Sequence, residues 1–314
     1  MTVAARWTGT CSSEVAPMRR KVAGTVRPVR GPTGGRGAEG GSVPGQVTTT
    51  EGTLARPDGV VLAYEDSGGD PARTIVLTHG FTVTLRMWDP TVEALVAEGW
   101  RVVTWDVRGH GPTVTPLRPE LFTLDHVVGD LVALLDHLGL ERVVLGGLSF
   151  GGFLALCTWA AAPGRIRALV LADTGPGFRN PTARQGWNET AGQRADAIAA
   201  GGIDAVRSGE ATGGAGIEGQ LGLDRHASFE ALALAARGFL AQQDSRAMDV
   251  LDGVSVPTLV LVGALDEPFL RASDVMAARI PGAELVTIPD AGHLANLDQP
   301  AAFQAALLSF LARL

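Results

Sequence analysis

The sequence predicts an α/β fold: a mostly parallel sheet with helices on both faces and a partly helical insertion late in the chain. Short apolar β-rich runs alternate with helical patterns from residue 74 to residue 172, the arrangement that builds a parallel sheet from βαβ units. The alternation stops after Asp173 and resumes at Pro257, so the stretch between is an insertion. Across 314 residues, 46% are hydrophobic and 19% charged, which supplies apolar material for one large core.

The elements follow in order. Residues 1–46 are rich in Gly, Pro, Ser and Thr, carry seven basic side chains against two acidic, and show no periodicity. They are expected to form a disordered basic leader; with +5 there and −7 overall, residues 47–314 carry −12. Runs 48–55 and 60–64 flank Arg56-Pro57-Asp58-Gly59, a turn tetrad whose glycine can take positive φ, and so read as a hairpin. Strands are predicted at 74–78, 101–105, 142–146 and 166–172, with helices near 88–98, 124–138 and 150–162 between them. In the 124–138 helix Leu124, Val127, Val128, Leu131, Leu134, Leu135 and Leu138 recur at three and four. Asp125, Asp130 and Asp136 fall between them, on the face expected to meet solvent. A strand at 257–262, a helix near 270–280, a strand at 284–288 and a helix from Pro300 close the chain. The core is thus 47–173 plus 255–314, and 174–254 is an insertion placed to cap the sheet as a lid. Its glycine-rich part, 209–222, is expected to be irregular.

Composition excludes several classes of function. No apolar run approaches the roughly 18 to 20 residues that span a bilayer. The charge of −7 lacks the clustered cations that neutralise phosphates, so no nucleic-acid partner is expected. Lys21 is the only lysine beside 25 arginines, a coding bias rather than a phosphate-binding device. The two cysteines, Cys11 and Cys157, lie in no ligand-like spacing, and a soluble protein of the reducing cytoplasm is the expectation. No metal ligand set and no cofactor motif is present, and the oligomeric state is left open.

Gly147-Leu148-Ser149-Phe150-Gly151 carries the chemistry. It follows one predicted strand and opens an apolar helix, so Ser149 falls on a sharp strand-to-helix turn where small flanking residues let the two elements pass closely. The helix start behind it offers free amides and a positive dipole end to a developing oxyanion. A serine hydroxyl needs a base, and the base needs an acid to fix its tautomer. Of six histidines, His126 and His137 lie on the amphipathic helix, His226 in the insertion is expected at the surface, and His110 follows a strand as a structural residue. His79 directly follows another strand. His293, in Pro289-Asp290-Ala291-Gly292-His293, occupies the loop after the last strand and is the candidate base.

From about residue 48 to the C-terminus the chain resembles the alpha/beta-hydrolase family, on five motifs in order: His79-Gly80-Phe81, Asp106-Val107-Arg108-Gly109-His110-Gly111, the Ser149 turn, Gly263-Ala264-Leu265-Asp266 and Gly292-His293. The resemblance implies a mostly parallel eight-stranded sheet and a triad of Ser149 as nucleophile, His293 as base and Asp266 orienting it. Asp173, at the end of another strand, is the rival acid. The resemblance also implies that the backbone amides of Phe81 and Phe150 form the oxyanion hole. His79, Asp106 and Arg108 are implied to be structural, Thr113 stands where a small hydroxyl residue often follows the Gly-His-Gly run, and Asp298 stands where the family often has Glu.

Such a constellation performs acyl transfer to water. Hydrolysis of a carboxylic ester or lactone through an acyl-enzyme is the leading expectation. Carbon-carbon bond hydrolysis or a cofactor-free perhydrolase activity is the alternative, and a non-catalytic ligand-binding member comes third. A serine nucleophile argues against the haloalkane dehalogenases and epoxide hydrolases that resemble this fold but use aspartate. Pocket walls are expected from Phe81, Trp88, Phe150, Phe178 and Trp187, a wholly apolar set that suits a neutral small-to-medium substrate, because an unpaired buried charge is costly.

Overall fold

The computed structural model describes residues 49–207 and 218–314, so the expected leader lies outside the described residues. Strands β1 (Thr50–Ala55) and β2 (Val61–Asp66) pair antiparallel across the 56–59 turn, where Gly59 takes φ 90. Six further strands are β3 (Thr74–Thr78), β4 (Arg101–Asp106), β5 (Val143–Leu148), β6 (Ile166–Ala172), β7 (Thr258–Gly263) and β8 (Glu284–Ile288). They form one eight-stranded sheet in the order β1-β2-β4-β3-β5-β6-β7-β8. β2 runs antiparallel to β4, and every pairing from β4 to β8 is parallel.

The burial of each strand follows from its place. β3, β5 and β7 are buried along their whole length because helices cover both faces, and apart from Thr74, Thr78 and Thr258 at strand ends they are continuous runs of apolar residues and glycine. β1 and β8, at the edges, alternate with solvent. Among the covering helices are α1 (Asp89–Ala97), α2 (Leu124–His137) and α3 (Phe150–Ala161). The Thr123 hydroxyl caps α2 by accepting from the His126 amide.

One residue of α2 departs from the helical pattern. Asp130 is fully buried rather than solvated, because Arg108 from the loop after β4 forks onto it at 2.7 and 2.8 Å. Arg56 adds a third bond at 3.0 Å, so burial of this carboxylate is compensated.

Between β6 and β7 the described chain is helical. α4 (Pro181–Arg207) breaks at Gly202, and α5 (Glu218–Leu221), α6 (Phe229–Ala235) and α7 (Arg246–Asp249) follow. α6 packs against α4. The glycine-rich stretch expected to be irregular lies partly outside the described residues, and its end is regular in α5. After β7 come α8 (Glu267–Arg279), the short α9 (Ala295–Asp298) and α10 (Pro300–Leu311). Among the described residues no helix is long and apolar enough to cross a membrane. The strand order brings the loops after β3, β4, β5, β6, β7 and β8 to one edge, the carboxyl end of the sheet, where open α/β sheets place their sites.

Candidate active site

Ser149 stands between β5 and α3 with φ 55 and ψ −116, a conformation costly for a residue with a Cβ. Its surroundings hold it there. The Ser149 amide donates to the Ala172 carbonyl at 2.9 Å, and the Thr174 hydroxyl donates to the Ser149 carbonyl at 2.6 Å. A Cβ on Gly147 would overlap the Gly151 backbone, and one on Gly151 would overlap the Thr78 carbonyl, so both must be glycine for strand and helix to pass. The turn presents Ser149 to a cavity, at the end of α3 where first-turn amides lack helical acceptors.

His293 lies in the loop after β8. Its Nδ1 is 2.9 Å from Asp266 Oδ2, and its ring stacks on Phe269 with centroids 4.9 Å apart and planes inclined 24°. A carboxylate at Nδ1 places the ring proton there and leaves Nε2 as the acceptor. Among the described residues Nε2 has no protein partner. The two loops are joined by backbone: the Leu265 amide donates to the Ala291 carbonyl at 2.8 Å and the Ala264 amide to the Ile288 carbonyl at 2.9 Å. Gly263 permits this approach, since a Cβ there would overlap the carbonyls of Ala291 and Gly292. Asp298 accepts from the Gly292 amide at 2.8 Å and so fixes the residue ahead of His293.

Asp173 is not bonded to the histidine. Fully buried at φ 43, it accepts from the Gly263 amide through Oδ1 at 2.7 Å, and among the described residues Oδ2 has no partner in hydrogen-bonding geometry. Burial, reinforced by the neighbouring Asp266 carboxyl, pushes Asp173 well above the usual carboxylate range and favours its neutral acid.

Phe150 is the first residue of α3, and Phe81 is buried in the loop after β3. Among the described residues neither amide has a protein acceptor. The loop holding Phe81 is built on buried neutral imidazoles. His79 donates from Nδ1 to the Gly80 carbonyl at 2.6 Å and accepts at Nε2 from the Val107 amide at 3.1 Å. Burial pulls His79 down to about 4 and pushes Asp106, 3.7 Å away, up to about 7, so the contact is not a charged pair near neutral pH. Asp106 instead accepts from the Leu85 amide at 2.8 Å, while Thr113 donates to the Asp106 carbonyl at 2.7 Å.

The cavity beside Ser149 has a volume of about 620 Å³. Phe150, Phe153, Phe178, Trp187, Met248 and Phe269 supply apolar wall. Two of the expected walls are elsewhere. Trp88 is buried in the core with its ring 6.2 Å from Phe303, because the turn carrying it is tied to α9 by Asn296, which donates to the Met87 carbonyl at 2.8 Å. The Phe81 ring turns away from the cavity and meets His110 edge-on at 5.0 Å. The lining is not wholly apolar either: Gln242 and, exposed, Arg271 contribute polar groups.

Sequence reasoning missed Gln242, Phe269 and His226. Gln242 accepts from the Phe178 amide at 3.1 Å, and its backbone exchanges bonds with Asn188 at 2.7 and 2.9 Å. His226, expected at the surface, is buried because the insertion packs it between the loops after β3 and β4. Only Phe269, three residues beyond Asp266, carried a positional signal.

With the eight-stranded sheet and this carboxyl-edge site in place, comparison with known proteins defines the class. Residues 75–306 match the alpha/beta hydrolase family, and the chain belongs to it. It is an enzyme of that family. It is 28% identical over 264 residues to a putative 2-succinyl-6-hydroxy-2,4-cyclohexadiene-1-carboxylate synthase of Bacillus subtilis, covering 81% of this chain and 96% of that one. It is 30% identical over 261 residues to 3-oxoadipate enol-lactonase 1 of Acinetobacter baylyi, covering 80% and 92%. Among solved structures, a thermophilic esterase from Thermogutta terrifontis is 29% identical with a TM-score of 0.71, covering 85% of this chain and 98% of that one.

Proposed function

We propose that the enzyme hydrolyses a carboxylic ester or lactone of a small-to-medium, neutral, apolar substrate through an acyl-enzyme on Ser149. The observation that carries this is the His293–Asp266 hydrogen bond of 2.9 Å, with the His293 ring stacked on Phe269, which lines the same largely apolar cavity as the strained Ser149 turn. The lactonase and esterase relatives support the same reading.

As Ser149 Oγ adds to the substrate carbonyl, His293 Nε2 takes the hydroxyl proton, and Asp266 holds the ring and offsets its charge. The carbonyl oxygen, now anionic, receives the Phe81 and Phe150 amides. Collapse expels the alkoxide, which takes the proton from His293. Water then loses a proton to Nε2 and adds to the acyl carbon, and Ser149 leaves with that proton restored. Residues 174–254 serve as the lid over this chemistry. The substrate is a small molecule, without nucleic-acid or membrane partner, met in the cytoplasm.

A panel of p-nitrophenyl esters, lactones and thioesters, with Ser149→Ala as control, tests the proposal. Ester or lactone turnover that disappears in Ser149→Ala supports it. Turnover of a vinylogous diketone with none of the esters would reassign the enzyme to carbon-carbon bond cleavage.

A further inference from the structure

The insertion does more than line the cavity. Its segment from Leu221 to Ala227 is bonded to the loops that follow β3 and β4. The Leu221 carbonyl accepts from both the amide and the hydroxyl of Thr84 at 3.0 Å, and the Ala227 amide donates to the Gly111 carbonyl at 2.9 Å. At the centre is His226, only 8% exposed.

The tautomer of His226 follows from its partners. The Gly111 amide, 3.0 Å from Nδ1, can only donate, so Nδ1 carries the lone pair. The Thr82 carbonyl, 2.9 Å from Nε2, can only accept, so the single ring proton is on Nε2 and points at Thr82. Burial lowers the basicity of this imidazole and keeps it in that neutral form. His110 completes the grip: its Nδ1 faces the Arg108 carbonyl at 3.3 Å, and its Nε2 accepts from the Thr82 amide at 3.3 Å.

Thr82 needs this grip. It is a β-branched residue at φ 73, a region that such side chains avoid. It immediately follows Phe81, whose amide the proposed mechanism aims at the oxyanion, so relaxation of Thr82 would move that amide. A displacement of about 1 Å at such a donor costs on the order of 100-fold in rate.

We propose that His226 is a positioning residue: by donating from Nε2 to the Thr82 carbonyl, the insertion holds the Phe81 amide in its oxyanion-binding direction. The inference rests on the serine-hydrolase reading above. It makes chemistry depend on the docking of the insertion, apart from any role of the insertion in selecting substrate.

Two variants separate positioning from packing. His226→Asn sets an oxygen where Nδ1 stands, keeping the acceptor for Gly111 and losing the donor to Thr82. His226→Gln sets an amide nitrogen near Nε2, keeping the donor and losing the acceptor. With p-nitrophenyl acetate, kcat of the Asn variant is expected to fall about 10- to 100-fold with KM within about threefold, while the Gln variant stays within about threefold in kcat. Melting temperature, recorded for both, should drop similarly in the two. Equal loss of kcat in both variants, or loss in neither, overturns the inference. Should the Asn variant not fold, His226→Ser takes its place as the variant without the donor to Thr82: a fall of about tenfold or more in its kcat beside a Gln variant within about threefold upholds the inference, and equal kcat in the two overturns it. Ser149→Ala keeps the two levels apart: if that variant retains turnover, the serine-hydrolase reading itself has failed.

Discussion

Asp266 Oδ2 lies 2.9 Å from His293 Nδ1, whereas Asp173, the other carboxyl at this edge of the sheet, spends Oδ1 on the Gly263 amide at 2.7 Å. Burial also holds Asp173 toward its neutral acid, which an asparagine imitates. Asp266→Asn is therefore expected to lower kcat about 10³- to 10⁴-fold by admitting the wrong histidine tautomer. Asp173→Asn should cost less than about tenfold, since its amide oxygen can still accept from Gly263. Steady-state kinetics on the two folded variants checks this, and the reverse ranking would move the acid to Asp173.

Asp106 yields a prediction in pH. Burial raises its folded value to about 7 from 3.8, so between those limits the folded state holds a proton that the unfolded chain has released. The stability this contributes is complete below pH 3.8 and is lost as pH rises through about 7. In Asp106→Asn that dependence disappears, while the oxygen that accepts from the Leu85 amide can remain. Melting temperatures measured from pH 4 to pH 8 should show the variant gaining on the unaltered enzyme as pH rises; a constant gap would contradict the assignment.

Gly263 governs the meeting of the acid and histidine loops. In Gly263→Ala the added methyl overlaps the carbonyls of Ala291 and Gly292, so the loops must separate. A stability loss of about 1 to 3 kcal/mol is expected from the overpacking. Activity should fall by more than that loss explains, as His293 and Asp266 are drawn apart. Parallel thermal melts and kcat values test this, and an active variant of unchanged stability would contradict it.

The cavity sets the substrate. Trp187 lines it and donates from Nε1 to the Leu240 carbonyl at 2.8 Å, so it is both wall and tie. Trp187→Ala should lower stability and also move the preferred acyl chain upward by about two carbons or more, since truncating an aromatic wall leaves space. The unaltered enzyme should favour neutral acyl esters over those ending in a carboxylate. The opposite preference, abolished by Arg271→Gln, would make Arg271 an anion-binding group and refute a neutral substrate.

The fold was legible wherever period and position sufficed. All eight strands, the kink-free helices α2, α3 and α10, and the order of Ser149, Asp266 and His293 follow from apolar periodicity, turn glycines and motif sequence. What escaped is what long-range packing decides. Asp130 looked solvated because helix periodicity cannot see the Arg108 fork arriving from another loop. His226 looked exposed because its partners, Gly111 and Thr82, lie 115 and 144 residues away in the chain. Trp88 was expected as a pocket wall because sequence does not say which way a short turn aims its side chain.

In the proposed mechanism Ser149 carries the acyl group. Rapid quenching of the enzyme with p-nitrophenyl acetate, followed by proteolysis and mass spectrometry of the peptide containing Ser149, tests it directly. We predict an acetyl increment on Ser149, formed with a burst of p-nitrophenol and absent from Ser149→Ala. An acetyl group on another residue, or full turnover by Ser149→Ala, would contradict the account.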